Sequence, residues 1–254
     1  MNAPAEWLVD LGNTRLKWAS ADALEHGGTR AIAHAGALDA GLLDGAFATI
    51  GPRQRAWIAS VAPPALTAAV EAALHRRGAI IMRASTRASC AGVRIAYADP
   101  SRLGVDRFLA LLAAHARGNG TWLVVGVGTA LTIDLLDANG MHHGGLIAPS
   151  PTLMREALAQ RAPHLPADGG EVVDFASDTA DALASGAILS ARALVVRSLR
   201  AARRRLEATP RLLIAGGGAQ ALCDGWRVRA ERVPDLVLRG LQVYARAART
   251  AMRR

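Results

Sequence analysis

Hydrophobic and polar positions fall into two similar series along the chain. The first opens with an apolar run at 7–11, read as a buried strand. A hairpin partner follows at 14–19, with Leu16 and Trp18 on one face and Arg15 and Lys17 on the other. Residues 21–51 are rich in Gly and Ala and show no clear period. A strand at 55–61 leads into Pro63-Pro64, which opens a helix at 65–77 that stops at Gly78. A strand at 79–82, a loop-rich stretch at 84–103 holding a short strand at 93–96, and a helix at 104–116 complete the series. Phe108, Leu111 and Leu112 share one side of that helix.

Arg117-Gly118-Asn119-Gly120 punctuates the chain, and the strand pattern then restarts. Segments 121–127 and 130–137 form a second hairpin, Asn139-Gly140 is a turn, and 141–147 begins a third strand. A helix at 151–161, a polar loop at 163–177 and a long helix at 179–206, broken near Gly186, come next. The series closes with a strand at 211–215, Gly216-Gly217-Gly218, a strand at 228–233 and a helix at 234–252. Strand clusters followed by helices thus occur twice. The expected fold is α/β, with two domains at 1–118 and 119–254 and a ligand cleft between them.

Composition narrows the class without changing this picture. Two cysteines, Cys90 and Cys223, stand far apart and outside any metal-ligand spacing, as expected for a reduced cytoplasmic protein. No leader-like segment opens the chain, since Glu6 and Asp10 interrupt it. The longest apolar run, 122–133, is too short and too broken for a membrane span, so no membrane partner is expected. The net charge of +9 raises nucleic acid as a partner, but only one of the 30 basic residues is Lys and the arginines are spread along the chain. The densest run, 200–205, lies in a helical pattern and reads as a solvated face, so nucleic acid is not expected.

Two loops carry the candidate chemistry. Asp10-Leu11-Gly12-Asn13-Thr14 places a carboxylate at a strand end and then a glycine that lets backbone N–H groups approach a phosphate. Asp10 is suited to magnesium, Asn13 and Thr14 to hydrogen bonds, and Lys17 follows three residues later. An ordinary hairpin turn also favours Gly and Asn. Gly128-Thr129-Ala130-Leu131-Thr132-Ile133-Asp134 repeats the arrangement, with Thr132 and Asp134 on one strand face. The pair together points to nucleotide-dependent phosphoryl transfer.

Gly104-Val105-Asp106-Arg107, at a predicted helix start, offers a base beside an anion-gripping cation. On sequence physics alone a dipole-offsetting Asp and a surface Arg is the stronger reading there. Gly144-Gly145 and Gly216-Gly217-Gly218 are either turns or places where ligand meets backbone. His142 and His143 are adjacent in a strand, so their rings face opposite ways and do not make a two-His metal site.

Four of these motifs occur in the order found in type III pantothenate kinases. They are Asp10-x-Gly12-Asn13-Thr14, Gly104-x-Asp106-Arg107, Gly128-Thr129-Ala130-x-Thr132-x-Asp134 and Gly144-Gly145-x-Ile147-x-Pro149. The chain resembles that family over nearly its whole length. The family sits in the superfamily of acetate and sugar kinases, heat-shock ATPases and actin. The resemblance implies two ribonuclease-H-like domains with mixed sheets and flanking helices, a homodimer, and ATP-dependent phosphorylation of pantothenate to 4′-phosphopantothenate, the first step towards coenzyme A.

It further implies that Asp10 organises Mg2+, that Gly12, Asn13, Thr14, Lys17, Gly128, Thr129 and Thr132 hold ATP, and that Asp106 is the general base. Gly104, Val105, Asp106, Arg107 and Tyr97 would contact pantothenate, and Thr179 would reach it across a dimer interface. The family's monovalent cation (K+ or NH4+) is held with the help of an Asp at the position of Gly126, so this chain departs from the pattern there. Pro149-Ser150 stands where the family has Pro-Gly. Two alternatives follow: a kinase for another small hydroxylated substrate, or a regulatory protein that kept the fold and lost turnover.

Overall fold

The computed structural model describes residues 5–118 and 120–252. Asn119, part of the predicted break, lies outside the described residues. The chain divides into two units, one built from the segment up to Arg117 together with the segment from Asp235 on, the other from Gly118–Pro234.

The first unit begins with β1 (Glu6–Leu11) and β2 (Arg15–Ser20), an antiparallel pair closed by the Asp10 loop. The stretch without a clear period, 21–51, in fact holds α1 (Ala21–Glu25), β3 (Arg30–Ala33) and α2 (Ala40–Ala46). These elements are too short to show a period. α1 and α2 are instead announced by their caps, Ser20 and Asp39, whose side chains accept from the first helical N–H groups. Next come β4 (Arg55–Ser60), α3 (Pro64–Arg76) and β5 (Ile80–Arg83), in the strand order β3-β2-β1-β4-β5. β4 runs parallel to both β1 and β5, so the sheet is mixed.

α3 buries Leu66, Val70, Ala73 and Leu74, one stripe at helical spacing, against a core containing Val9, Leu11, Leu16, Trp18, Phe47 and Ile58. Each such aliphatic side chain contributes about 1.5–3 kcal/mol on leaving water. A two-strand hairpin, β6 (Ser89–Cys90) with β7 (Val93–Arg94), is shorter than the predicted strand at 93–96. α4 (Val105–His115) follows.

The second unit repeats this plan. β8 (Trp122–Val127), β9 (Ala130–Leu136) and β10 (His142–Pro149) form an antiparallel meander, followed by α5 (Pro151–Arg161) and α6 (Thr179–Leu206). β11 (Arg211–Ala215), the short α7 (Ala219–Cys223) and β12 (Ala230–Arg232) complete a sheet ordered β10-β9-β8-β11-β12. α6 runs unbroken through Gly186, contrary to the sequence expectation. A lone glycine inside a long helix costs only about 1 kcal/mol, and packing of the surrounding helix outweighs that. By length and composition α6 could cross a membrane, yet its apolar face, including Ala191 and Val195, is buried on Leu123, Val125 and Ile133 of the sheet.

The last element, α8 (Leu236–Met252), belongs to the first unit, not to the second as its place in the sequence suggests. It lies directly on α4: a Cβ at Gly240 would stand 1.9 Å from the Leu109 carbonyl oxygen, so only glycine permits the approach. Tyr244 of α8 meets Trp57 and Phe108 edge-on at 5.9 and 6.4 Å. Amphipathic spacing foretells a buried face, but not which sheet will cover it.

Candidate active site

In the first unit the site is built around the end of β1. Register places Asp10 directly opposite Lys17 on β2 and beside Ala59 on β4. The Gly12 N–H donates to the Arg15 carbonyl at 3.0 Å and closes the turn, leaving Asn13 and Thr14 exposed at its tip. Asp10 keeps some solvent access but is packed around by protein. Burial, with like charge from Asp106 and Asp235, outweighs the opposing Lys17 and pushes its carboxyl up to about 7.

Two residues of this neighbourhood escaped sequence reasoning. His34, just beyond β3, sits 3.1 Å from the Gly12 carbonyl through Nε2 and accepts the Gly36 N–H at Nδ1. With Nδ1 accepting, Nε2 donates to the Gly12 carbonyl, so His34 ties the Asp10 loop to the end of β3. The Asp-after-Pro pattern at Asp235 reads as the start of a helix, and it is folding of α8 that brings this carboxylate into range of Asp10.

Asp106 and Arg107 stand in the first turn of α4. The Thr86 hydroxyl donates to the Leu103 carbonyl at 2.7 Å, and the Phe108 N–H donates to the Gly104 carbonyl at 3.0 Å, which fixes the backbone on both sides of the helix start. Arg107 is buried, and its Nη1 donates to the Tyr97 hydroxyl at 3.4 Å, so these two predicted substrate contacts do come together. Asp10, Lys17 and Asp106 also share one electrostatic neighbourhood.

In the second unit the Gly128 N–H donates to the Ala130 carbonyl at 3.0 Å, and Gly128 and Thr129 are exposed at the turn. Gly126 pairs with Thr132, and a Cβ on Gly126 would lie 2.6 Å from the Thr132 hydroxyl oxygen. Asp134, on the same strand face as Thr132, is buried and bonded to the buried His142 at 3.0 Å, while His143 bonds Asp137 at 2.9 Å. The two imidazoles thus serve different carboxylates.

A bulge between His142 and Gly145, with Gly144 at φ +91, separates them from the rest of the β10 ladder. Gly216 and Gly218 meet backbone and side chain of Val127, since a Cβ on either would come within 2.2 and 2.7 Å, so these glycines serve strand packing. Thr179 lines a surface cavity of about 510 Å3 together with Leu165, Ser177, Asp178 and Leu183.

The donor set fits Mg2+ at Asp10: a hard oxygen ligand that is costly to ionise until a cation neutralises it. The exposed turns at Gly12 and Gly128 suit phosphate. The residues at Gly126 do not fit a carboxylate-held monovalent cation. That position has no side chain, its space adjoins the Thr132 hydroxyl, and the Asp134 carboxylate on that strand face bonds His142. Among the described residues no group of three or more His, Cys, Asp or Glu side chains is placed to hold a metal by itself.

Comparison with known proteins shows the family. The family model for type III pantothenate kinase matches residues 7–201. A type III pantothenate kinase of Xanthomonas oryzae pv. oryzae (strain PXO99A) is 53% identical over 248 residues, covering 96% of this chain and 98% of that protein. Among solved structures, a Baf family protein from Campylobacter jejuni superposes with a TM-score of 0.61 at 19% identity, covering 96% of this chain and 99% of the other. A Sinorhizobium meliloti protein described as a 2-dehydro-3-deoxygalactonokinase gives 0.52 at 15% identity, covering 97% of this chain and 99% of the other. The two structural likenesses speak to the fold, and the sequence matches speak to the family: this chain belongs to the type III pantothenate kinases.

Proposed function

We infer that the chain transfers the γ-phosphoryl group of ATP to the primary hydroxyl of pantothenate, giving 4′-phosphopantothenate for coenzyme A synthesis. The observation that carries this is 53% identity to a type III pantothenate kinase across 96% of the chain. Residues of three of the motifs stand at the turns that follow β1 and β8 and at the start of α4, with Asn13, Thr14, Gly128 and Thr129 exposed.

Asp10 is the ligand for Mg2+, which when bound neutralises charge on the phosphates. Gly12, Asn13, Thr14 and Lys17 contact the nucleotide, as do Gly128, Thr129 and Thr132. Asp106 accepts the proton of the pantothenate hydroxyl as the phosphoryl group leaves ATP. It stands in the first turn of α4. Arg107, with Tyr97, Gly104 and Val105, holds the acceptor, the guanidinium being suited to the pantothenate carboxylate. No step passes through a monovalent cation.

The homodimer belongs to the same reading. Among the described residues, the exposed large apolar side chains of the second unit (Leu146, Ile147, Leu158, Val172 and Phe175) all fall on β10, α5 and the loop after it, with Phe175 99% exposed. A second copy covering this face would also bring a partner to Thr179, four residues on. The protein acts in the cytoplasm, with pantothenate, not nucleic acid, as its partner.

ADP release from Mg·ATP, with and without pantothenate, tests the activity. Release that requires pantothenate is expected, and a sugar or another hydroxy acid giving the larger rate would overturn the substrate assignment. Asp106→Asn is expected to lower kcat by roughly 10² to 10⁴, the usual contribution of a general base.

A further inference from the structure

We propose that Gly104 is a positioning residue for Asp106, because the side chain it lacks would occupy the place of the Asp106 carboxylate. A Cβ built on Gly104 would lie 2.6 Å from Asp106 Oδ1 and 3.8 Å from its Cγ. Real side chains do not approach that closely, so any other residue at this position turns the carboxylate away.

The backbone conformation does not itself require glycine. Gly104 sits at φ −52 and ψ 136, an extended conformation open to every L residue. It is also the N-cap of α4, a position where Asn, Asp and Ser rank above glycine because their side chains satisfy a free N–H. Gly104 makes no side-chain cap bond. The fold therefore does without the better caps at this helix, and each of them would carry a Cβ into Asp106.

The clash has an unusual consequence. Apart from chain neighbours, only Asp106 atoms lie within 4 Å of the added Cβ among the described residues. The atoms in the way are the end of the Asp106 side chain, whereas the backbone is held by Thr86 on Leu103 and by Phe108 on Gly104. Alanine is thus accommodated by moving the carboxylate and little else. A displacement of about 1 Å at a reacting group is enough to cost on the order of 10²-fold in rate. Gly104→Ala should therefore damage turnover and spare the fold.

The proposal rests on Asp106 being the general base, and a four-enzyme comparison separates the two. Wild type, Gly104→Ala, Asp106→Asn and the double variant are compared for kcat, for KM of pantothenate and ATP, and for Tm. Gly104→Ala is expected to lower kcat by roughly 10- to 100-fold, to leave KM for ATP unchanged, and to keep Tm within about 2 °C of wild type. In the Asp106→Asn background the same substitution is expected to change kcat by less than about twofold, since coupled residues are not additive.

If Asp106→Asn is impaired but Gly104→Ala turns over like wild type, the positioning role is wrong and the base stands. If Gly104→Ala costs the same factor in both backgrounds, or lowers Tm by more than about 5 °C, glycine serves the backbone and the proposal fails. Full turnover by Asp106→Asn removes the base reading and the proposal with it.

Discussion

At the end of its central strand the first unit has Asp10, facing Lys17 on β2 and Ala59 on β4. At the same place in the second unit's sheet stands Gly126, facing Thr132 on β9 and Ala215 on β11. Both sheets have the same strand order, and both turns are closed by an N–H of the glycine two residues on, Gly12 and Gly128. One half therefore offers a charged pair where the other offers a hydroxyl over bare backbone. A shared frame does not impose shared chemistry. The charged half is suited to a cation, and the neutral half can meet phosphate only through N–H and O–H donors. Like charge from Asp106 and Asp235 deepens the contrast, because it makes Asp10 a carboxylate in need of a counter-ion.

Removing the charge from the first half is expected to have the largest effect. Asp10→Asn should lower kcat/KM for Mg·ATP by roughly 10² to 10⁴, the several kcal/mol that a positioned divalent ion supplies. Magnesium titrations at fixed ATP check it, and an unchanged magnesium requirement would show that the charged half is not where the metal is held.

The same variant sharpens the comparison without any ligand. An Asp whose folded pKa is raised from 3.8 to about 7 binds more protons folded than unfolded between those values. Stability therefore falls as pH rises through that window and stays at its lower level above it. Asp10→Asn should remove up to about 4 kcal/mol of this pH-dependent loss. Ligand-free Asp10→Asn is expected to melt above wild type at pH 8 and close to it at pH 4. Thermal scans at the two pH values decide, and parallel curves would mean that Lys17 compensates Asp10 fully.

How much of this was legible beforehand depends on the range of the interaction. Both loops and both hairpins could be read locally, since strand alternation and turn residues act over a few positions. The Asp106-Arg107 pair at a helix start was legible for the same reason. His34 was not: it holds the Gly12 carbonyl from 22 residues away, inside a stretch whose short elements show no period. Nor was Asp235, which reaches Asp10 only because α8 returns to the first unit. The close contacts at Gly104, Gly126 and Gly240 were equally hidden, because a glycine in sequence does not say whether it serves a turn, a packing contact or an oxygen. The structure supplies a packing reason for glycine at each of these three positions, of which only Gly104 belongs to a family motif.

A direct attempt to make the halves alike is Gly126→Asp. Its Cβ would stand 2.6 Å from the Thr132 hydroxyl oxygen, and the residue opposite is Thr132 and not a Lys. A crowded, uncompensated carboxylate should cost about 1–3 kcal/mol. Melting temperatures in potassium and in tetramethylammonium buffer are expected to fall equally. Recovery specific to potassium would show that the second half retains a latent cation site and that the contrast between the halves is one residue deep.

The smallest effect should come from Thr132 itself. Thr132→Val keeps the shape and removes the side-chain donor beside Gly126. A single neutral hydrogen bond is worth about 0.5–1.5 kcal/mol. The expected result is a KM for ATP raised roughly two- to tenfold with kcat and Tm nearly unchanged, and Thr132→Ser should restore it. If valine is silent, the hydroxyl only fills the space beside Gly126, and phosphate in this half is held by backbone N–H groups alone. If instead kcat falls while KM holds, Thr132 acts on the transition state and the neutral half does more than bind. Either result would move the division between the units, because the missing charge at Gly126 would then have been replaced by nothing or by a catalytic donor.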